Sequence, residues 1–544
     1  MSKRVLFSLG LLLALFAQGC RPSDGWVVMA PAGNAYTAID RAGQTVLPNG
    51  RFITPLGRQI TTAPHPYGLT LSPDGALAVT ANSGVRPFSI TLIRDILGES
   101  PTVQQVPPGV GTDEGILAAV FMGLAVAPDN QTVYVGGGQE GKVFLFDATS
   151  GASLGHIACD GVFQGRTYED SYIGDLVLTA DGTTLYAVDQ TNFRLVVLDT
   201  ATRRVVASVP VGRYPFGIAL SPDEQRLYVA NVGLYEYSVI GGVDENDPDR
   251  QGLDFPPFAY LSTASEEGVE IDGYQVPGLG EANVPESFSV WAIDVADRAE
   301  ATVTAKIKTG ILIGQQVEDF PAIGGSSPNS LVATDDYVFV SNGNNDSVSM
   351  IDVRQDSVVA EIDLRLDDRL GFLRGAIPFG LALSPDGRRL YVAEAGINAV
   401  AVVDVERRSV LGHLPVGWFP SKLAVSNDGR TLIVANAKGY GSGPNGGPAF
   451  EPGPEGSYIG NLMNGTVSVL DIPADADLPR QTEQVLRNNF DFRRPGDSAC
   501  AGRADNPVPL YPGERISPIK HLVFVPFLAF TFESFLDQVE IVVQ

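Results

Sequence analysis

Side chains able to do chemistry are scarce in this chain. Four histidines, His65, His156, His413 and His521, and three cysteines, Cys20, Cys159 and Cys500, are spread over 544 residues. A zinc or copper centre needs imidazoles and thiolates gathered at short spacing. The nearest approach is His156 with Cys159, and three residues apart along a strand they point to opposite faces. His156 and His413 stand at matching points of two similar segments, SLGHIA and VLGHLP, which marks them as parts of a repeat on outer strands. The acidic run DENDPD, residues 244–249, offers oxygens to Ca2+ but lacks the spacing and glycine of an EF-hand loop. A solvated acidic loop is the better reading, and no cofactor or metal site is expected. No P-loop, GxSxG or HExxH motif occurs. What does gather at a recurrent place is aromatic and basic: Tyr67, Arg213, Tyr214, Phe216, Phe379, Trp418, Phe419 and Lys422. Such a set suits a binding surface rather than catalysis, with packing between neighbouring units as the alternative.

The elements that position these residues come from a repeat. YPFGIALSPDEQRLYVANVG from Tyr214, IPFGLALSPDGRRLYVAEAG from Ile377 and FPSKLAVSNDGRTLIVANAK from Phe419 are copies of one unit. The turn aspartates Asp74, Asp129, Asp181, Asp223, Asp336, Asp386 and Asp428 mark seven copies. Each reads as an apolar strand A, a Ser-Pro-Asp-Gly turn, a strand B such as LYVAN, a strand C such as LVVLD, and a strand D such as VVASVPVG. Pro presets φ, Asp caps its own backbone and Gly takes φ > 0, so the turn has a mechanism. Four short antiparallel strands per unit predict an all-β fold, a seven-bladed β-propeller, with a helix and linker extension after the last blade. Helical periodicity is absent from the repeats.

These repeats resemble the YVTN family of propeller repeats, through YVAN at 228–231 and FVSN at 339–342. The resemblance implies a seven-bladed ring and no particular activity. The last copy lacks a D strand, whereas RQITTAPHPYG, ahead of the first A strand, matches the D-strand exit ASVPVGRYPFG. Arg58–Ala63 is therefore expected to join residues 465–471 and close the circle, since an open ring leaves a free sheet edge. Long insertions fall at 105–120, 157–173, 233–288, 310–327, 365–376 and 438–463, all in B-to-C or D-to-A connections, which share one face. Loops of this kind carry function more often than the scaffold does. Asn82, Asp189, Asn231, Asn342, Glu394 and Asn436 end the B strands, where capping of the following turn is the expected role.

Lys plus Arg number 37 against 63 Asp plus Glu, a net charge of −26, which disfavours nucleic acid and anionic membrane surfaces. Residues 1–19 read as a signal peptide: a basic MSKR, an apolar VLFSLGLLLALF, and AQGC ending in Cys20. The last element resembles the lipobox of bacterial lipoproteins, which implies lipidation of Cys20 and anchoring at a membrane, the outer membrane or cell surface being favoured by Arg21. Export permits Cys159 and Cys500 to pair, two free buried thiols being the alternative. The expected organisation is an anchor segment with first strands at 20–57, the propeller at 58–475, a helix and linker at 476–516, and 517–544 beyond. The segment IKHLVFV, 519–525, resembles the opening strand of alkaline-phosphatase-like phosphoesterases that follow a YVTN propeller in some bacterial proteins. The KENRTFD-like motif and remaining metal ligands implied by that likeness do not follow, so 517–544 reads as a remnant first strand of a truncated catalytic domain. The leading expectation is a lipid-anchored scaffold that binds an unknown protein or small ligand through its insertion face. The alternative is an accessory part of a truncated metal-dependent phosphoesterase.

Overall fold

In the turn between strands A and B, the Ser72 hydroxyl donates to Asp74 Oδ1 at 2.6 Å, and the same oxygen accepts the Ala76 amide at 3.0 Å. Ser221–Asp223, Ser384–Asp386 and Ser426–Asp428 repeat the hydroxyl–carboxylate bond at 2.6 Å, and Thr179–Asp181 does so with threonine. These bonds explain why the sequence keeps Ser or Thr two residues before the turn aspartate. They also hold the Asp74, Asp223, Asp386 and Asp428 carboxyls below the usual carboxylate range, the hydroxyl contributing most.

The computed structural model describes residues 26–84, 87–108, 116–236, 262–271, 273–317, 320–371, 373–444 and 458–494. Its body, Ala30–Asn489, contains seven four-stranded antiparallel sheets, and the fold is a seven-bladed β-propeller. Strands A to D of blade 1 are Pro66–Leu71, Leu77–Asn82, Ser89–Arg94 and Thr102–Val106, and those of blade 2 are Leu124–Val126, Thr132–Gly136, Lys142–Asp147 and Ser153–Ala158. Blade 3 comprises Ile173–Leu178, Thr184–Asp189, Arg194–Asp199 and Arg204–Pro210. Blade 4 comprises Pro215–Leu220, Arg226–Asn231, Ser289–Asp294 and Thr302–Lys308. Pro328–Ala333, Tyr337–Asn342, Ser347–Asp352 and Ser357–Asp363 form blade 5, and Pro378–Leu383, Arg389–Glu394, Ala399–Asp404 and Ser409–Pro415 form blade 6. Blade 7 takes strands A to C from Trp418–Val425, Thr431–Gly439 and Asn464–Asp471, and its D strand is Arg58–Pro64. The closing pairing is antiparallel, with Ser468 opposite Gln59 and Val467 opposite Ile60. The ring is sealed as the missing and surplus strands of the repeat imply.

Apolar cores lie between successive blades. Val79, Ile90 and Leu92 of blade 1, for example, pack with Leu124, Val133 and Phe144 of blade 2. In blades 1 and 4 the innermost strands crowd so closely that the motif position takes only glycine: a Cβ on Gly217 would stand 2.2 Å from the Asn329 carbonyl oxygen, and one on Gly68 would stand 2.1 Å from that of Met122. Outside the ring, the amphipathic helix Leu478–Asn489 lies against strand D of blade 6 and buries Leu478 and Val485. The Thr482 hydroxyl accepts the His413 amide at 2.9 Å. In a separate unit, Val27–Met29 pairs antiparallel with Asp491–Arg493, and Trp26 meets Phe492 edge to face.

His413 does lie on an outer strand, D of blade 6, as expected, but it is enclosed rather than facing solvent. Its side chain is 3% exposed, and Nε2 lies 3.4 Å from Glu394 Oε1, itself fully buried. In blades 1, 5 and 7 the equivalent strand B residue is Asn, bonded to strand C hydroxyls: Asn82 to Ser89 and Thr91, Asn342 to Ser347 and Ser349, Asn436 to Thr466 and Ser468. Blade 6 carries Ala399 and Ala401 instead, and His413, opposite Ala401 in register, fills the space. His156, by contrast, is exposed on strand D of blade 2. Cys159 is a free, fully buried thiol, whose pKa burial pushes up to about 12. Cys20, Cys500, the 244–249 run and the 519–525 segment lie outside the described residues.

Candidate functional site: the insertion face

The long connections of the ring, 107–123, 159–172, 232–288, 309–327, 364–377 and 440–463, run from B to C or from D to A, so all of them leave and re-enter the blades on one face. On this face strand A begins in an unusual way. His65, Tyr214, Ser327, Ile377 and Phe419 each precede a proline and each has a left-handed backbone, with φ of 60°, 49°, 53°, 52° and 61°. A residue before proline favours extended backbone, and a β-branched one is strained at positive φ. The carbonyls of His65, Tyr214, Ser327 and Ile377 accept amides just beyond strand B, from Ser83, Val232, Gly343 and Ala395 at 3.0–3.1 Å. Those bonds hold the strained turn and aim the following side chains toward the ring axis.

Aromatic rings meet there. Tyr67 of blade 1 lies 5.1 Å from Phe379 of blade 6, and Phe379 lies 5.8 Å from Phe216 of blade 4. Phe121, leading into blade 2, is 5.5 Å from Tyr67, 5.6 Å from Phe216 and 5.4 Å from Tyr172. Phe419 reaches Tyr67 at 6.5 Å. Three of these contacts, Tyr67–Phe379, Phe379–Phe216 and Phe121–Phe216, join non-adjacent blades, so the rings touch across the axis and fill the channel mouth. Burial pushes the Tyr67 phenol up to about 12, with Tyr172 adding to the shift. His65 stacks on Tyr67 at 5.0 Å and is drawn down to about 4 by burial and then by the Lys438 charge. It is therefore neutral at pH 7.

Further along strand A, an ion pair crosses the channel. Lys422 Nζ of blade 7 lies 3.1 Å from Asp175 Oδ2 of blade 3, with side chains 19% and 10% exposed. Both occupy the position held by the motif glycine in Gly68, Gly123, Gly217 and Gly380, so two blades exchange a glycine for opposite charges.

The sequence candidates thus divide. Tyr67, Phe216, Phe379 and Phe419 form the plug, and Lys422 bridges the channel below it. Arg213, Tyr214 and Trp418 do not converge with them. The Arg213 guanidinium donates to the Leu234 carbonyl at 2.7 Å. Trp418 packs with Leu47, Ile53 and Tyr440, under the Lys438 ammonium at 4.9 Å from its ring. Tyr214 turns outward onto Phe193, 4.8 Å away, where both rings line a cavity of about 470 Å3 between blades 3 and 4. Sequence reasoning missed Phe121, Tyr172, His65 and Asp175. The signal for Asp175 was its place six residues before the turn aspartate Asp181, the glycine position of the motif.

In blade 3 a buried ion pair secures the 159–172 insertion. Arg194 Nε donates to Asp189 Oδ2 at 2.7 Å, and its Nη2 donates to the Cys159 carbonyl at 2.8 Å and the Ser171 hydroxyl at 3.1 Å. The Tyr168 ring lies 3.7 Å from the guanidinium carbon. Asp189 thus does more than cap a turn. Among the described residues no group of three or more His, Cys, Asp or Glu is placed to hold a metal ion.

No protein-family model and no curated protein matches the chain. Among solved structures, hydrazine synthase of Kuenenia stuttgartiensis is similar at 19% identity and a TM-score of 0.44, over 70% of this chain and 94% of that one.

Proposed function

We propose that this protein is an exported, lipid-anchored propeller of YVTN type that binds a protein or small ligand through its insertion face and performs no chemistry of its own. The observation that carries the reading is the distribution of exposed apolar side chains. Tyr36, ahead of the ring, is 92% exposed, but among the described connections of the ring the most exposed large apolar side chains are Ile323, Val162 and Tyr458, at 68%, 67% and 65%, each on a different insertion of that one face. Apolar groups displayed in this way are the usual currency of interaction surfaces. Anchoring rests on the signal segment and lipobox-like AQGC: labelled palmitate should enter the wild-type chain and not Cys20→Ser.

The test is a triple variant, Val162→Asp, Ile323→Asp and Tyr458→Asp. Its unfolding temperature should match wild type, because all three side chains are exposed, while a partner that co-purifies with the wild type from membrane extract should be lost. Retention of that partner, or a wild type that retains none, contradicts the reading. The resemblance of IKHLVFV to a phosphoesterase strand favours a second reading, the accessory part of an alkaline-phosphatase-like enzyme. Metal-dependent hydrolysis of an aryl phosphate by the purified chain would favour that reading over the first.

A further inference from the structure

We infer that the cavity at the head of blade 5 captures the C-terminal residue of a partner chain, an apolar side chain together with its free carboxylate. The inference rests on the insertion face being the protein-binding face and names what one part of it takes. The cavity measures about 240 Å3 and draws on three connections of that face. Ile311, Val317, Pro321 and Ile323 come from the 309–327 connection, Asn344 and Asn345 from the B-to-C turn of blade 5, and Arg374 from the 364–377 connection. The short hairpin Gln316–Val317 with Phe320–Pro321 carries the apolar wall, and the Gly314 amide, bonded to the Ala322 carbonyl at 2.8 Å, ties its base.

The lining selects the ligand class. Apolar atoms make most of it, and such a wall rewards an aliphatic or aromatic side chain while a polar one loses its hydration there. Arg374 adds a cation at the rim: its side chain is exposed, and its guanidinium has no carboxylate, carbonyl or ring partner among the described residues. The planar fork of a guanidinium matches a carboxylate. Asn344 and Asn345 donate to the Gly324 and Gly325 carbonyls at 3.0 Å each, and Asn345 Oδ1 accepts the Ile311 amide at 2.8 Å, so the loop is fixed before a ligand arrives. The amides of Ile323 and Gly324, two exposed residues of the lining, have no acceptor among the described residues. Backbone amides and a cation beside an apolar pocket are a recurrent means of holding a chain terminus. The volume suits one residue, since sites for larger small molecules begin near about 300 Å3. Pro321, Ile323, Gly324 and Arg374 are all exposed, which leaves the cavity open for the residues that precede the terminus. A single carboxylate answers to the cation next to it, because the remaining charge of a chain at −26 is screened beyond about 10 Å.

Calorimetric titration of the full chain tests the assignment. The probes are acetyl-Gly-Ser-Gly-Val, its Leu-ended and Phe-ended counterparts, the same three as C-terminal amides, an Asp-ended peptide, and free isovalerate. At least one apolar free acid should bind, with its amide, the Asp-ended peptide and isovalerate each weaker by about tenfold or more. Arg374→Gln should weaken that binding about tenfold, the equivalent of one charge-assisted hydrogen bond, without lowering the unfolding temperature. Ile323→Asp should abolish it. Absence of binding by all three apolar acids, equal binding of acid and amide forms, or affinity untouched by Arg374→Gln overturns the inference. Isovalerate bound as tightly as the peptides would make the occupant a free acid and overturn the chain terminus. A chain that binds no peptide yet loses its partner on Val162→Asp, Ile323→Asp and Tyr458→Asp overturns this site alone. A chain that binds none and keeps its partner overturns the wider reading as well.

Discussion

Lys422 and Asp175 set the interior of the ring. Removing one charge leaves the other buried beneath an aromatic layer, a change that costs several kcal/mol, about 3–5 by comparison with other buried pairs. Lys422→Met or Asp175→Leu alone should therefore destabilise strongly in urea unfolding, and the double variant should recover most of the loss. Equal additivity of the two would place the charges apart. The Glu394–His413 pair makes a prediction in pH. Burial raises the Glu394 carboxyl; burial also works to lower His413, but the facing carboxylate outweighs it and the imidazole moves up. Both groups then hold protons more tightly folded than unfolded: the Glu394 contribution is fully present only below the unfolded carboxyl value of about 4.5, the His413 contribution below about 6.5, and each is lost as pH rises through the native value. Stability by urea unfolding should fall from pH 6.5 toward 9, and Glu394→Gln with His413→Gln should flatten that slope. The first pair was half legible, since Lys422 stood out and both members replace a motif glycine; which two blades face each other follows only from ring closure. The second was not, because a D-strand histidine looks exposed until the helix Leu478–Asn489 covers it.

Blades rely on turns that the repeat writes out fully, and for that reason the strands, their order and the closing strand could be read in advance. A unit lacking strand D at one end and a surplus D strand at the other leave one arrangement without a free edge. The short pairings before the ring, Thr45–Val46 with Phe52–Ile53, carried no repeat signal and packed unseen against Tyr440 and Trp418. The closing register is testable directly. Ser468 and Gln59 face each other, hydroxyl to amide oxygen at 2.7 Å. Gln59→Cys with Ser468→Cys, in a Cys159→Ala background, should oxidise to a disulfide and raise stability by about 2–4 kcal/mol in urea unfolding, because it ties the two ends of the ring. Failure to form the bond would mean a different register.

At the scale of the whole molecule, a rigid ring separates two surfaces with different tasks. The A-to-B and C-to-D turns are short, most of them closed by bonds to their own aspartates, while the long connections begin and end on the opposite face with the strained pre-proline turns, the aromatic plug and the most exposed apolar side chains of the ring's described connections. A surface of net charge −26 will repel polyanions wherever they approach, so recognition falls to these apolar groups and to local cations beside them. The central claim is that binding is confined to the insertion face, and site-specific photo-cross-linking in intact cells tests it. A photoreactive side chain at Val162, Ile323 or Tyr458 should give adducts, whereas the same group at Thr202 or Gln355, exposed on C-to-D turns of the other face, should give none. Adducts from both faces alike, or from the short-turn face only, would contradict the account.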